Sequence, residues 1–153
     1  MGSKVNCDAA SSKDGGDGSI TVVMRNWDGN PVDGLAKSVK ISSPLQGELL
    51  AIREACLMIS ALGMKGVSVE SDNKQAILLS ASELVPPWEV IAMVLDIWEL
   101  ACMRGILFKW VRREANKAAH SIATLAKSGK LPLNWVSSPP LQLLSIFNSD
   151  CAL

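Results

Sequence analysis

Hydrophobic positions along the chain switch between two periods. Apolar and polar residues alternate from Lys4 to Ala9, which reads as a short strand, and after the flexible stretch SSKDGGDGS, Ile20 to Trp27 reads as a longer one. Asp28-Gly29 signals a hairpin turn, and Pro31 to Ile41 reads as a weaker third strand whose Gly34 suggests a bulge or an edge position. From about Pro44 the spacing becomes helical: Leu49, Ile52, Cys56 and Ile59 recur on one face, with Gly63 as the stop. Val67 and Val69 restore the alternation in a strand from Lys65 to Ser71. A helix to about Ser82 follows, and after Pro86-Pro87 a longer one to about Arg104, expected to bury Ile91, Val94, Trp98 and Ala101. Gly105 punctuates the chain, Ile106 to Val111 reads as the last strand, and a final helix runs from about Ala115 to Ser128.

The order β-β-β-α-β-α-α-β-α joins an antiparallel meander to crossover units, so the fold class is α/β with a mixed sheet and helices on both faces. A chain of 153 residues, 48% hydrophobic, fits one domain with a sizeable core. Met1-Gly2-Ser3 reads as a vector-derived scar, residues 4–130 as the domain, and residues 131–153 as a tail packed on it.

This pattern places three acids conspicuously. Asp8 lies in the first strand, Glu48 in the first turns of the first long helix, and Asp72 at the end of the fourth strand. If the first and fourth strands are neighbours under that helix, the carboxylates converge, and a divalent cation is the usual relief for such repulsion. Asp72 has a plainer reading as the cap of the next helix, with Asn73 as a second candidate.

Fifteen basic residues balance fifteen acidic ones, which argues against a strongly cationic coating protein. The balance is local: from Arg104 to Lys130 there are seven bases and one acid, Glu114. Cys7, Cys56, Cys102 and Cys151 lie far apart, form no metal-ligand spacing and follow no secretory signal, so an intracellular, reducing compartment is expected, nucleus or cytoplasm. The most apolar segment, Val90 to Met103, contains Asp96 and Glu99 and is too short to span a bilayer, so no membrane association is expected.

Four stretches in order, NCDAA at 6–10, LQGELLAI at 45–52, VESDNKQA at 69–76 and VRREANKAAHSIATLAK at 111–127, together resemble the ribonuclease H domain. The resemblance is closest to the plant branch described as reverse-transcriptase-like and related to non-LTR retroelements, and covers about Lys4 to Ser128. It implies a five-stranded mixed sheet, its first three strands antiparallel, with helices on both faces. The implied activity is endonucleolytic cleavage of the RNA strand of RNA/DNA hybrids with two divalent ions, Mg2+ or Mn2+. Carried over by position, Asp8, Glu48 and Asp72 fall on three of the family's metal ligands. The fourth, four residues after the motif asparagine Asn116, falls at His120, whose imidazole suits manganese, iron or zinc better than magnesium. The family's mobile histidine upstream of that asparagine has no counterpart, since His120 is the chain's single histidine.

Helical spacing puts His120 on the polar side of the last helix with Asn116, Lys117, Thr124 and Lys127, which suits either a site residue or a surface histidine. Asn6, Asn73 and Lys74 neighbour the acids and are candidates to touch nucleic acid, alternatively solvated or capping. Arg112 and Arg113 are natural phosphate contacts, alternatively surface charge. Trp110 is a candidate for stacking on a base or sugar, although tryptophans are core residues by default. The residues that family members place before the helical Glu to read the RNA minor groove are replaced by SPLQG. Two rivals therefore stand beside the nuclease: a catalytically weakened nucleic-acid-binding module, and a protein-interaction module using the Val90 to Met103 helix or the tail.

Overall fold

A computed structural model of the chain describes residues 3–11 and 16–150. Met1 and Gly2 of the expected scar, residues 12–15 of the glycine-rich connection, and Cys151 lie outside the described residues. Strand β1 (Lys4–Ser11) pairs antiparallel with β2 (Gly16–Arg25), and β2 with β3 (Pro31–Ile41). Helix α1 (Pro44–Ala61) crosses over to β4 (Ser68–Ser71), which lies parallel to β1. Helices α2 (Lys74–Ser80) and α3 (Ile91–Arg104) lead to β5 (Leu107–Trp110), parallel to β4. The five-stranded order is β3-β2-β1-β4-β5, the mixed sheet expected. Helix α4 (Lys117–Lys127) follows a 3-10 turn over Arg113–Asn116, and α5 (Leu141–Asp150) ends the described chain.

Alternation along the strands sorts their side chains onto two faces. Val5, Cys7, Ile20, Val22 and Val69 meet Leu49, Ile52, Cys56 and Ile59 of α1 and Val94 and Ile97 of α3 in the main core. On the other face Val23 packs with Ala118, Ala119 and Ile122 of α4 and with Trp135, Leu143 and Phe147 from the C-terminal segment. Ser43 caps α1 by accepting from the Gln46 amide at 3.1 Å, with Pro44 at the first helical position.

Several expectations are corrected. β2 begins at Gly16 and stops at Arg25, leaving Trp27 exposed in a turn organised by Asn26, whose Oδ1 accepts from the amides of Asp28 and Asn30. β3 is an edge strand, but the register shift sits at Met24/Arg25 rather than at Gly34. Gly34 is bare because Trp135 lies on it: a Cβ there would come within 2.5 Å of the indole. Ile91 is exposed, and Ile97, one turn from Val94, is buried in its place. Helix α5 was not anticipated; its Leu143 and Phe147, four residues apart, seat it against α4.

Gly47 also has a packing reason. A side chain there would meet Ile41 at 3.0 Å and Ala9 at 3.2 Å, so glycine lets the first turns of α1 lie close on β1 and β3, beside Glu48.

Candidate metal centre

The β1–β4 pairing ends at Asn6 with Glu70. Two residues further along both parallel strands come Asp8, where β1 runs on beyond its pairing with β4, and Asp72, just past the carboxyl end of β4, the edge at which open α/β sheets bind ligands. Glu48 descends on them from the second turn of α1. One ligand oxygen from each of Asp8, Glu48 and Asp72 lies within 4.8 Å of the others. They line an open cleft of about 810 Å³, to which Trp110, Arg112, Arg113 and His120 also contribute.

Asp72 is available because Asn73 is the helix cap. The Asn73 Oδ1 accepts from the Ala76 amide at 2.9 Å, and the Asn73 amide donates to Ser71 Oγ at 3.1 Å. The main-chain oxygen of Asp72 accepts from the Trp110 indole N–H at 3.1 Å, and its carboxylate stands 3.8 Å from Arg113 Nε. Glu70 belongs elsewhere: it is buried, accepts from Asn6 Nδ2 at 3.2 Å and has Lys4 Nζ at 3.8 Å. A strand ending in two acids thus divides them between a buried polar network and the cleft.

Burial and the neighbouring carboxylates push Glu48 up to about 9. Burial, then Asp72, raises Asp8, while the hydrogen bond to His120 works against that rise. Three carboxylates this close cannot all ionise unaided, and an all-oxygen donor set of this charge fits a hard divalent cation. Because Glu48 ionises near 4.5 when unperturbed and near 9 in the fold, the unfolded chain releases this proton first as pH rises. The contribution to stability is complete below the lower value and lost towards the higher one. The melting temperature in EDTA should therefore fall by a few degrees between about pH 5 and pH 9, less so in Glu48→Gln. A flat wild-type profile would remove the strained carboxylate from the account.

His120 stands outside the converging triad. Its Nδ1 lies 2.9 Å from Asp8 Oδ2, so as arranged the ring serves Asp8 rather than completing a four-ligand set. Asn6 and Asn116 are corrected more firmly: both are fully buried and neither reaches the cleft surface. Asn116 Nδ2 donates to the Cys7 carbonyl at 2.8 Å, and Asn6 Nδ2 to Asn116 Oδ1 at 3.1 Å, which ties the start of α4 to β1 and sets His120 one turn further on. Lys74 is exposed with its ammonium 5.9 Å from the centre of the Trp110 ring. Trp110 is 45% exposed, not core. Lys127 lines the cleft and donates to the Ser11 carbonyl at 2.9 Å; its place in the basic run was the signal available for it.

A family model described as reverse transcriptase-like matches residues 6–126. Among solved structures the chain is similar to an N-terminal RNase H domain from Mycobacterium tuberculosis, studied as a maltose-binding-protein fusion, with 16% identity over 85% of this chain and 96% of that one and a TM-score of 0.75. It is also similar to RNase H1 from the halophilic archaeon Halobacterium salinarum, with 17% identity, coverage of 84% and 99%, and a TM-score of 0.76. LC11-RNase H1 in complex with an RNA/DNA hybrid gives 17% identity, coverage of 83% and 97%, and a TM-score of 0.74. No curated protein matches the chain in sequence.

Proposed function

Because the chain belongs to the reverse transcriptase-like family, we propose that it is a divalent-metal-dependent, ribonuclease H-like endonuclease domain that cuts the RNA strand of an RNA/DNA hybrid. The convergence of Asp8, Glu48 and Asp72 in an open, base-rimmed cleft carries the reading. The RNA/DNA hybrid bound by LC11-RNase H1, on the same fold, supports the substrate class.

Asp8, Glu48 and Asp72 would hold the ions, a pair of Mg2+ or Mn2+. Bound there, the ions supply positive charge for the phosphate in flight and lower the pKa of a water. Arg112 and Arg113 meet backbone phosphates at the rim, and Asn73 and Lys74 stand at the strand's approach. Trp110, held by the Asp72 carbonyl, offers a ring on which a base or sugar stacks. His120 keeps Asp8 oriented through the contact of its Nδ1 with Asp8 Oδ2, and it is the residue that would serve as the fourth ligand.

Residues 4–130 are the nuclease unit on this reading, and 131–153 a tail, consistent with the burial of Trp135, Leu143 and Phe147. A reducing compartment, nucleus or cytoplasm, suits the free thiols of Cys7, Cys56 and Cys102. Among the described residues no helix is long and apolar enough to cross a membrane.

The deciding experiment incubates the protein with labelled RNA/DNA hybrid, duplex RNA and duplex DNA in magnesium and then manganese, with metal-free controls. Selective cutting of the hybrid is the expected result. Binding without cutting would favour the weakened module, to which the imidazole of His120 beside Asp8 lends support, since among the described residues only three acids converge. Arg112→Ala/Arg113→Ala should reduce the slope of log affinity against log salt by about one per lost contact. Trp110→Ala should weaken binding by roughly 1–3 kcal/mol. Binding indifferent to salt and to all three changes would sink the cleft as the nucleic-acid site.

A further inference from the structure

Helix α3 lies in the layer opposite α4 and carries apolar residues on its outer side as well as its inner one, with Asp96 and Glu99 among the outer set. Val90, Val94 and Ile97 face the core, while Trp88, Ile91, Leu95, Cys102 and Met103 share the outer side and are exposed. Trp88, Leu95 and Met103 are each more than half exposed, as is Val85 just before them. An apolar stripe of this length on the outside of a domain marks a surface that something covers.

Charge indicates what covers it. Residues 75–103 hold Glu83, Glu89, Asp96 and Glu99 and no lysine or arginine. Asp96 pairs with Arg53 at 2.9 Å, whereas Glu83, Glu89 and Glu99 have no ion-pair partner among the described residues. Glu99 sits within the stripe, beside a recess of about 240 Å³ lined by Arg53, Leu57, Asp96, Glu99, Leu100 and Met103. Leu57, Leu100 and Met103 form its apolar side, and at its rim Arg53 and Asp96 answer each other and leave Glu99 unpaired, so the recess suits the alkyl stem and cationic head of one long basic side chain. A nucleic acid is repelled by such a segment. A second copy fits less well too, because pairing two α3 helices brings the acids of one copy to a segment that carries no lysine or arginine of its own.

We propose that the outer face of α3 docks an amphipathic helix of a partner protein, apolar along its seam and carrying an arginine or lysine that enters the recess and pairs with Glu99. The interaction is separate from the cleft and does not rest on the nuclease reading.

Two labelled helical peptides of about 18 residues test this, alike in a leucine seam and differing only in a central Arg or Glu. Fluorescence anisotropy with the full chain should show saturable binding of the Arg peptide, about tenfold tighter than the Glu peptide. Glu99→Lys should reverse that preference, and Leu95→Ser should weaken binding of the Arg peptide about tenfold. Both positions are exposed, and an unchanged melting temperature verifies that each variant folds. Absence of saturable binding, equal affinity for the two peptides, or an unaltered preference in Glu99→Lys overturns the proposal. So does a concentration-dependent dimer in light scattering that Leu95→Ser abolishes, since the occupant would then be a second copy.

Discussion

Asp72→Asn should lower the rate of hybrid cleavage at least about 10³-fold in magnesium and in manganese, a loss equivalent to several kcal/mol of transition-state stabilisation. The structural duties of Asp72 run through its main chain, whose oxygen receives the Trp110 indole, while the helix cap belongs to Asn73. An isosteric amide leaves both in place, so the lost activity cannot be ascribed to unfolding. The same substitution removes one source of the rise at Asp8 and at Glu48. Asp72→Asn should therefore melt higher than wild type in EDTA while gaining less from added metal, because metal stabilises by binding the folded state alone. Initial rates and melting curves, with and without EDTA, check both halves. Equal metal-induced shifts in wild type and in Asp8→Asn/Asp72→Asn would dispose of the centre.

Substitutions at His120 should separate the two metals. A neutral imidazole brings no negative charge to the site, and its nitrogen suits magnesium poorly, so wild-type cleavage should be slow in magnesium and faster in manganese. His120→Asp supplies an oxygen and a charge beside Asp8, and should raise the magnesium rate by on the order of tenfold. Without metal that variant should melt lower, because a new carboxylate stands where the ring now meets Asp8 at 2.9 Å. His120→Ala should lose about 10- to 100-fold in both metals, as Asp8 loses the partner that orients it. The measurement is the initial rate of the three proteins across magnesium and manganese titrations, with Asp72→Asn as the blank. An alanine variant as active as wild type would make His120 a surface residue. A wild type no faster than the blank would remove the enzyme reading.

Elements with a strong local rhythm were legible from residue types. The α1 stripe of Leu49, Ile52, Cys56 and Ile59 is buried as spaced, and β3 runs over Pro31–Ile41 as expected. Weak rhythm failed where tertiary partners decide. Gly16 and Gly18 enter β2 only because Ile41 and Ser11 pair with them. Gly34 reads as a bulge or an edge position, and β3 is an edge strand, but the reason for the missing side chain lies about a hundred residues away in Trp135. The acids of the site were legible because charge at strand ends stands out against a core pattern. The roles of Asn6 and Asn116 were not, since a polar residue near a site reads alike whether it faces ligand or closes a buried hydrogen-bond network.

The uneven spread of charge has a kinetic consequence. With a net charge of zero, the molecule has no monopole to draw a distant polyanion. Arg112, Arg113 and Lys127 at the cleft and the base-free segment over 75–103 instead set local fields of opposite sign, felt within a Debye length of about 8–10 Å. On the proposed function, attraction would therefore act late in an encounter, as a torque more than a pull, turning the cleft toward phosphates and α3 away. A polyanion seated in the cleft, as proposed, would leave the outer face of α3 open to a second macromolecule.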